Sequence, residues 1–135
     1  MFCREHVAQL RDHEADFRAR GARVAAVGLG DLAYARAFRD ESRIAFPLLV
    51  DVERKAYRAA ELHSASLRHL LRRDTFTAGR RARAAGYRQG RTGRNPFQLG
   101  GSFVFGPGDV DRYAHVSETF GDNAPVAALL AALDR

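Results

Sequence analysis

The residue with the clearest capacity for covalent chemistry is the single cysteine of the chain, Cys3. The stretch "FCREHVAQLR" around it predicts a helix that begins close to Cys3. At a helix N-terminus the unpaired N–H groups and the helix dipole stabilise a thiolate, and a neighbouring Arg4 adds to that effect. Cys3 and Arg4 are therefore the candidate catalytic residues, against the alternative of an ordinary exposed thiol at a frayed terminus.

One thiol also limits what the chain can do. Peroxide would convert a Cys3 thiolate to sulfenic acid, and a thiol from another molecule would have to resolve that product. A chain with one cysteine forms no internal disulfide, which is typical of a reducing cytosol. No basic segment followed by an apolar stretch opens the chain, so no export signal is recognised and a cytoplasmic location is expected.

Other candidate sites are weaker. His6 and His13 are seven residues apart on one predicted helix face, but two ligands without a third favour surface histidines over a metal site. His115, in a predicted strand, is interpreted as structural. The stretch "VGLGD" contains G-x-G but lacks the third glycine of a dinucleotide-binding motif, so a turn explains it better. The sequence therefore predicts no metal and no cofactor.

Basic charge is concentrated in one segment. Nine arginines lie between Arg68 and Arg94 against one acidic residue, Asp74, while the whole chain has a net charge of +6. Together with Phe76 and Tyr87 these arginines could grip phosphates and stack on bases, so nucleic-acid binding is a less favoured alternative. The segment is too polar and glycine-rich for a core, which predicts a partly helical insertion over about residues 68–96.

Length and composition indicate one domain over residues 1–135. Hydrophobic residues make up 46% of the chain, which excludes a mainly disordered protein. The longest apolar run, "VAALLAAL", is too short to span a bilayer, so no membrane partner is expected.

Helical and extended patterns alternate in the first half of the chain. A helix carrying Val7, Leu10 and Phe17 on one face precedes the buried strand "ARVAAVGL". Asp31 can cap a second helix, "PLLV" reads as the next strand, and Asp51 can cap a third helix.

The second half predicts a hairpin and a closing helix. The strands "GGSFVF" and "VDRYAHV" flank the turn residues "GPGD". Val126, Leu129, Leu130 and Leu133 then follow the i, i+3, i+4, i+7 pattern of an amphipathic helix. The alternation of helices and strands in the first half, followed by this hairpin, predicts an α/β fold with a mixed sheet flanked by helices.

Five segments of the chain resemble the AhpC/TSA-type peroxiredoxin-like family, which has a thioredoxin-like fold and includes prostamide/prostaglandin F synthase. They are "FCREHVAQLR", "VAAVGLGD", "FPLLVDVERKAYRA", "GYRQGRTGRNPFQLGGSFVFGPG" and "YAHVSETFGD". Each segment alone is only modestly specific for the family, but the five occur in the family's order over nearly the whole chain.

The resemblance implies a thiol-dependent reductase or peroxidase that acts on peroxides or small disulfides with electrons from cellular thiols. In the family the cysteine lies where the first core strand meets the first helix, often as C-x-x-C followed by Arg-Glu. Cys3, Arg4 and Glu5 match the second cysteine of that motif and the two residues after it. Cys3 equally fits the second position of the T-x-x-C motif of peroxiredoxins proper. In both motifs the first position would fall one residue before Met1.

Besides the missing first position of this motif, the chain departs from the family at an arginine. In the family this arginine often precedes the strand that matches "GSFVF" and helps to activate the peroxide. Gly100 and Gly101 stand there instead. The candidates for that role are Arg4, Arg88, Arg91 and Arg94.

The third departure from the family is the absence of one strand. In thioredoxin-like sheets a central strand lies between the one resembling "ARVAAVGL" and the one resembling "GSFVF", and it has no counterpart here. Each buried backbone group left unpaired costs about 1–3 kcal/mol, against a domain stability of only ~5–15 kcal/mol. A truncated chain or a misassigned start is therefore expected. The alternative function is a non-catalytic remnant or binding module that keeps the scaffold.

Overall fold

The computed structural model describes residues 2–64, 73–86, 97–108 and 110–135. Helices and strands follow the predicted order, with the first predicted helix divided in two, and the α/β class is confirmed. The elements are α1 (Phe2–Asp12), α2 (Glu14–Ala19), β1 (Ala26–Gly28), α3 (Leu32–Ser42), β2 (Leu48–Val50), α4 (Lys55–Ala59), α5 (Arg73–Ala84), β3 (Gly101–Gly106), β4 (Val110–Val116) and α6 (Val126–Leu133).

The four strands of the described residues form two small sheets. β1 pairs with β2 in parallel, with Val27 opposite Leu49, and β3 pairs with β4 in antiparallel, with Ser102 opposite His115. Parallel and antiparallel pairing are therefore both present, in two separate sheets. Within the described residues no strand joins β1 to β3, which is the arrangement expected when the central strand of the thioredoxin-like sheet is missing.

The helices begin where the sequence predicts, because aspartates satisfy their first N–H groups. A carboxylate oxygen of Asp31 accepts from the N–H of Tyr34 at 2.7 Å at the start of α3. The carboxylate of Asp51 accepts from the N–H groups of Lys55 at 2.9 Å and Ala56 at 2.8 Å at the start of α4. Asp31 is the N-cap residue of α3. The N-cap residue of α4 is Arg54, which makes no side-chain cap hydrogen bond, so the carboxylate of Asp51, three residues earlier, satisfies the first N–H groups instead.

The first predicted helix is interrupted at His13. Its φ of −106° and ψ of 12° leave the helical range, and its Nδ1 lies 2.8 Å from a carboxylate oxygen of Asp16. The backbone then resumes as α2, which buries Phe17. Gly21, with φ of 73°, follows α2, as expected of a glycine that ends a helix.

Among the described residues, the apolar core consists of two clusters with α1 between them. The residues of the first are Phe17, Val104, Ala124, Leu129 and Ala132, and those of the second are Phe38, Ile44 and Phe46. Leu10 of α1 and Val24 pack against both clusters. The helix that carries Cys3 is therefore held by both halves of the core.

The arginine-rich segment contains a helix, α5, that packs on α1. Ala82 of α5 is fully buried. Residues 68–72 and 87–96 of the predicted insertion lie outside the described residues, so its proposed bounds of about 68–96 stay a prediction. In the part of the chain that the structure describes, no helix is both long enough and apolar enough to cross a bilayer.

Candidate functional site

Cys3 lies in the first turn of α1, the second residue of the helix. The N–H groups of this turn have no carbonyl partner within the helix, so their partial positive charge is directed at what lies in front of them. The residue is exposed and forms no disulfide. The structure thus places the predicted nucleophile at a helix N-terminus where small reagents can reach it.

The protonation of Cys3 differs from the expectation. Desolvation by the surrounding protein raises the pKa of the Cys3 thiol above its ordinary value, whereas a helix N-terminus and a neighbouring arginine would lower it. Because Cys3 is exposed, its side chain keeps much of its hydration, which limits this increase in pKa. The thiol form predominates at neutral pH in either case.

Arg4 reaches away from the thiol toward α3. Its guanidinium donates to the Glu41 carboxylate at 2.9 Å, and it lies over the ring of Phe38 with 4.9 Å between the guanidinium carbon and the ring centroid. These contacts hold α1 on α3. They also engage the positive charge that was expected to act on Cys3.

Glu5 is an unpredicted member of the site. Its side chain is only 4% exposed, although it is a carboxylate. Arg81 of α5 donates to both of its oxygens, from Nε to Oε1 at 3.1 Å and from Nη2 to Oε2 at 3.4 Å. A buried carboxylate requires such a partner, and the residues are 76 positions apart. No local pattern in the sequence selects this pair.

His6 connects the same turn of α1 to the hairpin. Its Nε2 lies 3.1 Å from the hydroxyl oxygen of Ser102 on β3. The ring is 9% exposed, and no described group makes a hydrogen bond to its buried Nδ1. Desolvation lowers the pKa of His6, so the ring is neutral at physiological pH. The sequence-based interpretation of His6 as a surface histidine is wrong, because β3 covers it.

The other histidines have local partners. His115 lies 3.1 Å from a carboxylate oxygen of Asp122, consistent with its predicted structural role. His13 pairs with Asp16. Among the described residues, no three His, Cys, Asp or Glu side chains come together in a way that could hold a metal ion.

Tyr57 on α4 is a second unpredicted neighbour of the thiol. Its hydroxyl donates to the carbonyl of Val27 at 2.9 Å. Ala26 and Gly28 on either side bond toward β2, so this carbonyl faces the opposite edge of β1. Desolvation, with smaller effects of Cys3 and Asp51, raises the pKa of Tyr57 to about 12. The phenol therefore remains a neutral hydrogen-bond donor close to Cys3.

The two glycines at the position where an arginine was expected, Gly100 and Gly101, differ in their surroundings. A Cβ at Gly101 would lie 2.7 Å from a methyl carbon of Leu62 and 2.9 Å from the backbone oxygen of His115, whereas nothing lies within 4 Å of one at Gly100. The backbone thus has no room for a side chain at Gly101. The other predicted candidates, Arg88, Arg91 and Arg94, lie outside the described residues.

Comparison with known proteins gives one match. A family model described as AhpC/TSA antioxidant enzyme matches residues 9–119. Neither the curated proteins nor the solved structures gave a match. The matched range covers most of the chain but begins after Cys3, so the assignment of the thiol rests on its place in the fold.

Proposed function

Because the chain belongs to the AhpC/TSA antioxidant enzyme family, we propose that it is a thiol-dependent redox protein in which Cys3 is the nucleophile. Its substrates are peroxides or small disulfides, and its electrons come from cellular thiols. The observation that carries this proposal is the accessible thiol in the first turn of α1. In the part of the chain that the structure describes, no other cysteine is present to compete for the role.

The reaction with a peroxide proceeds in three balanced steps. The Cys3 thiolate attacks one peroxide oxygen, the O–O bond breaks, and the leaving oxygen takes a proton to become an alcohol or water. Cys3 is thereby oxidised to sulfenic acid. A small thiol attacks that sulfur and releases water to give a mixed disulfide. A second thiol then attacks the mixed disulfide, which restores the Cys3 thiolate and releases the oxidised disulfide of the reductant.

The surroundings of Cys3 bear on each step. The free N–H groups of the first turn favour the thiolate. The nearby Tyr57 hydroxyl donates its one proton to the carbonyl of Val27 at 2.9 Å, so a peroxide oxygen has to find its donors among those N–H groups. Since only the thiolate attacks, and desolvation raises the pKa of the Cys3 thiol, the rate should increase with pH above neutrality. The need for an external reductant favours the reducing cytosol as the place of action.

The alternative is a non-catalytic scaffold or binding module. Two features favour it: desolvation raises the pKa of the Cys3 thiol although the residue is exposed, and the guanidinium of Arg4 is engaged by Glu41. Both leave the thiol less activated than a peroxidatic cysteine requires. Binding of nucleic acid by the arginine-rich segment is less favoured, because Arg81 already pairs with Glu5.

The deciding experiment exposes the folded protein to a modest excess of hydrogen peroxide, with and without a small thiol, and measures the intact mass. We expect one added oxygen without the thiol and a single thiol adduct with it, both absent from Cys3→Ser. A thiol-dependent peroxidase assay on the same pair follows turnover. Equal rates for the two proteins, with an unmodified wild-type mass, would establish the non-catalytic alternative.

A further inference from the structure

An open groove lies between α3 and the start of β2, and Cys3 is not among the residues that line it. Its volume is about 320 Å³, at the lower end of the range of about 300–1,000 Å³ for ligand pockets. Phe46 forms its apolar floor, because this residue is buried and belongs to the second core cluster. The next two residues, Pro47 and Leu48, also line the groove, as does the exposed Leu32 of α3. The groove is therefore an apolar bed of a size that suits one small organic molecule.

Two arginines supply the charge of the groove. Arg36 and Arg39 line it from α3, and at a spacing of three residues they lie on the same side of the helix. No described group forms a hydrogen bond or an ion pair with the Arg36 guanidinium. Arg39 donates from Nε to the carboxylate of Asp40 at 3.1 Å, which leaves its two Nη groups without a described partner. No acidic residue is among the described residues that line the groove, so its positive charge is not fully neutralised.

The acidic residues of α3 and of its N-cap are engaged elsewhere. The Asp31 carboxylate accepts from a backbone N–H in the first turn of α3 at 2.7 Å. The Glu41 carboxylate accepts from the guanidinium of Arg4 on α1 at 2.9 Å, and Asp40 is paired with Nε of Arg39. The remaining guanidinium N–H groups of the groove therefore have no acidic partner among the described residues of their own helix. An anion from outside the chain is the partner that their charge favours.

Charge and apolar floor together define the chemical class of the ligand. A guanidinium is planar and presents its N–H donors in a fork that matches the two oxygens of a carboxylate. Side chains three residues apart on a helix have Cβ atoms about 5–6 Å apart, so both arginines can reach one anionic group. Removal of hydrocarbon from water on the floor adds a second favourable contribution. An amphipathic carboxylate uses both features, whereas an inorganic anion uses only the first.

We propose that the groove between α3 and β2 binds a small amphipathic carboxylate. The carboxylate group pairs with Arg36 and Arg39, and the hydrocarbon lies on Phe46 and the two residues that follow it. This binding function goes beyond the proposed thiol chemistry and does not depend on it, since Cys3 does not line the groove.

The test uses sodium hexanoate as the probe, titrated into the isotope-labelled protein at constant ionic strength and followed by NMR. The amide signals of Phe46 and Leu48 should shift and saturate with a dissociation constant on the order of 1–10 mM. Arg36→Gln should weaken binding about fivefold, and the double variant Arg36→Gln/Arg39→Gln should weaken it by about tenfold or more. Both replaced side chains are exposed, so these variants should fold as wild type does. Arg80→Gln is the matched control, because it removes the same charge from an exposed residue of α5 that does not line the groove.

Two further probes separate the parts of the ligand. Hexanol presents the same hydrocarbon without the charge and should bind about fivefold more weakly than hexanoate. Inorganic phosphate presents charge without hydrocarbon, and it should leave the signal of Phe46 in place at concentrations that saturate with hexanoate. Hexanol that binds as tightly as hexanoate would reduce the groove to an apolar contact, and phosphate that binds equally well would make it a simple anion site. Either result overturns the proposal.

The variants supply the remaining outcomes. Equal dissociation constants for Arg36→Gln and Arg80→Gln would overturn the proposal, as would signals that shift only outside the groove. Groove signals that change when the protein is concentrated without hexanoate would show that a second copy of the chain occupies the groove, which also contradicts it. Cys3→Ser should bind hexanoate as wild type does, so binding survives if the proposed peroxidase fails. Conversely, loss of binding in the arginine variants should leave the reaction of Cys3 with peroxide unchanged.

Discussion

Acidification should destabilise the protein through His6, whose ring is buried between α1 and β3. Desolvation lowers the pKa of His6; His115 acts in the same direction, while Gln9 and Glu5 oppose the shift. In the unfolded chain the ring titrates near 6.5, so below that pH the unfolded state binds a proton that the folded state does not. The stability due to neutral His6 is therefore complete above about pH 6.5 and is lost as the pH falls toward the lower folded-state value.

The size of the effect follows from the number of protons. A single site changes the free energy of unfolding by no more than about 1.4 kcal/mol per pH unit. His6→Gln removes the titration while keeping an amide that can bond to Ser102. Its cost above pH 6.5 should be on the order of 1 kcal/mol, because a side chain of different shape then fills the buried site of the ring. The cost of this variant should shrink as the pH falls, because wild type alone loses the contribution of neutral His6.

The measurement is urea unfolding of wild type and His6→Gln between about pH 5.5 and 7.5. The difference between their free energies of unfolding should decrease toward acid. His13→Gln is the matched control, since it removes an exposed histidine that pairs with Asp16. If the free energies of unfolding of wild type and His6→Gln, plotted against pH, stay parallel over the whole range, the reasoning is refuted.

Two further predictions test the apolar core and the close contact between the backbones of β3 and β4 at Gly101. Leu129 is 4% exposed, so Leu129→Ala should lower the free energy of unfolding by about 2–5 kcal/mol. Leu32 is 64% exposed, so the control Leu32→Ala should change it by less than about 0.5 kcal/mol. Equal losses for the two variants in urea unfolding would contradict the described core. Gly101→Ala should cost about 1–3 kcal/mol, because its Cβ would meet a backbone oxygen that cannot move freely. Gly100→Ala has open space and should be tolerated, so a thermal melt in which both variants lose the same stability would argue against this packing.

Local features of the fold were predictable from the sequence. Asp31 and Asp51 mark the starts of α3 and α4 because a side-chain cap acts on N–H groups only a few residues away. The apolar spacing of α6 predicted the face on which Leu129 is buried. The strand "ARVAAVGL", by contrast, is reduced to Ala26–Gly28, because a strand exists only where a partner strand binds it, and pairing is a property of the tertiary structure.

The family, the order of helices and strands, and the identity of the one thiol could be read from the sequence, because motifs and periodic patterns act through near neighbours. The groups that surround this thiol depend on the packing of distant segments. Glu5 meets Arg81 across 76 positions and His6 meets Ser102 across 96. No local rule selects these partners, since a buried charge or ring takes whichever group the packing of α1 against α5 and β3 brings within reach.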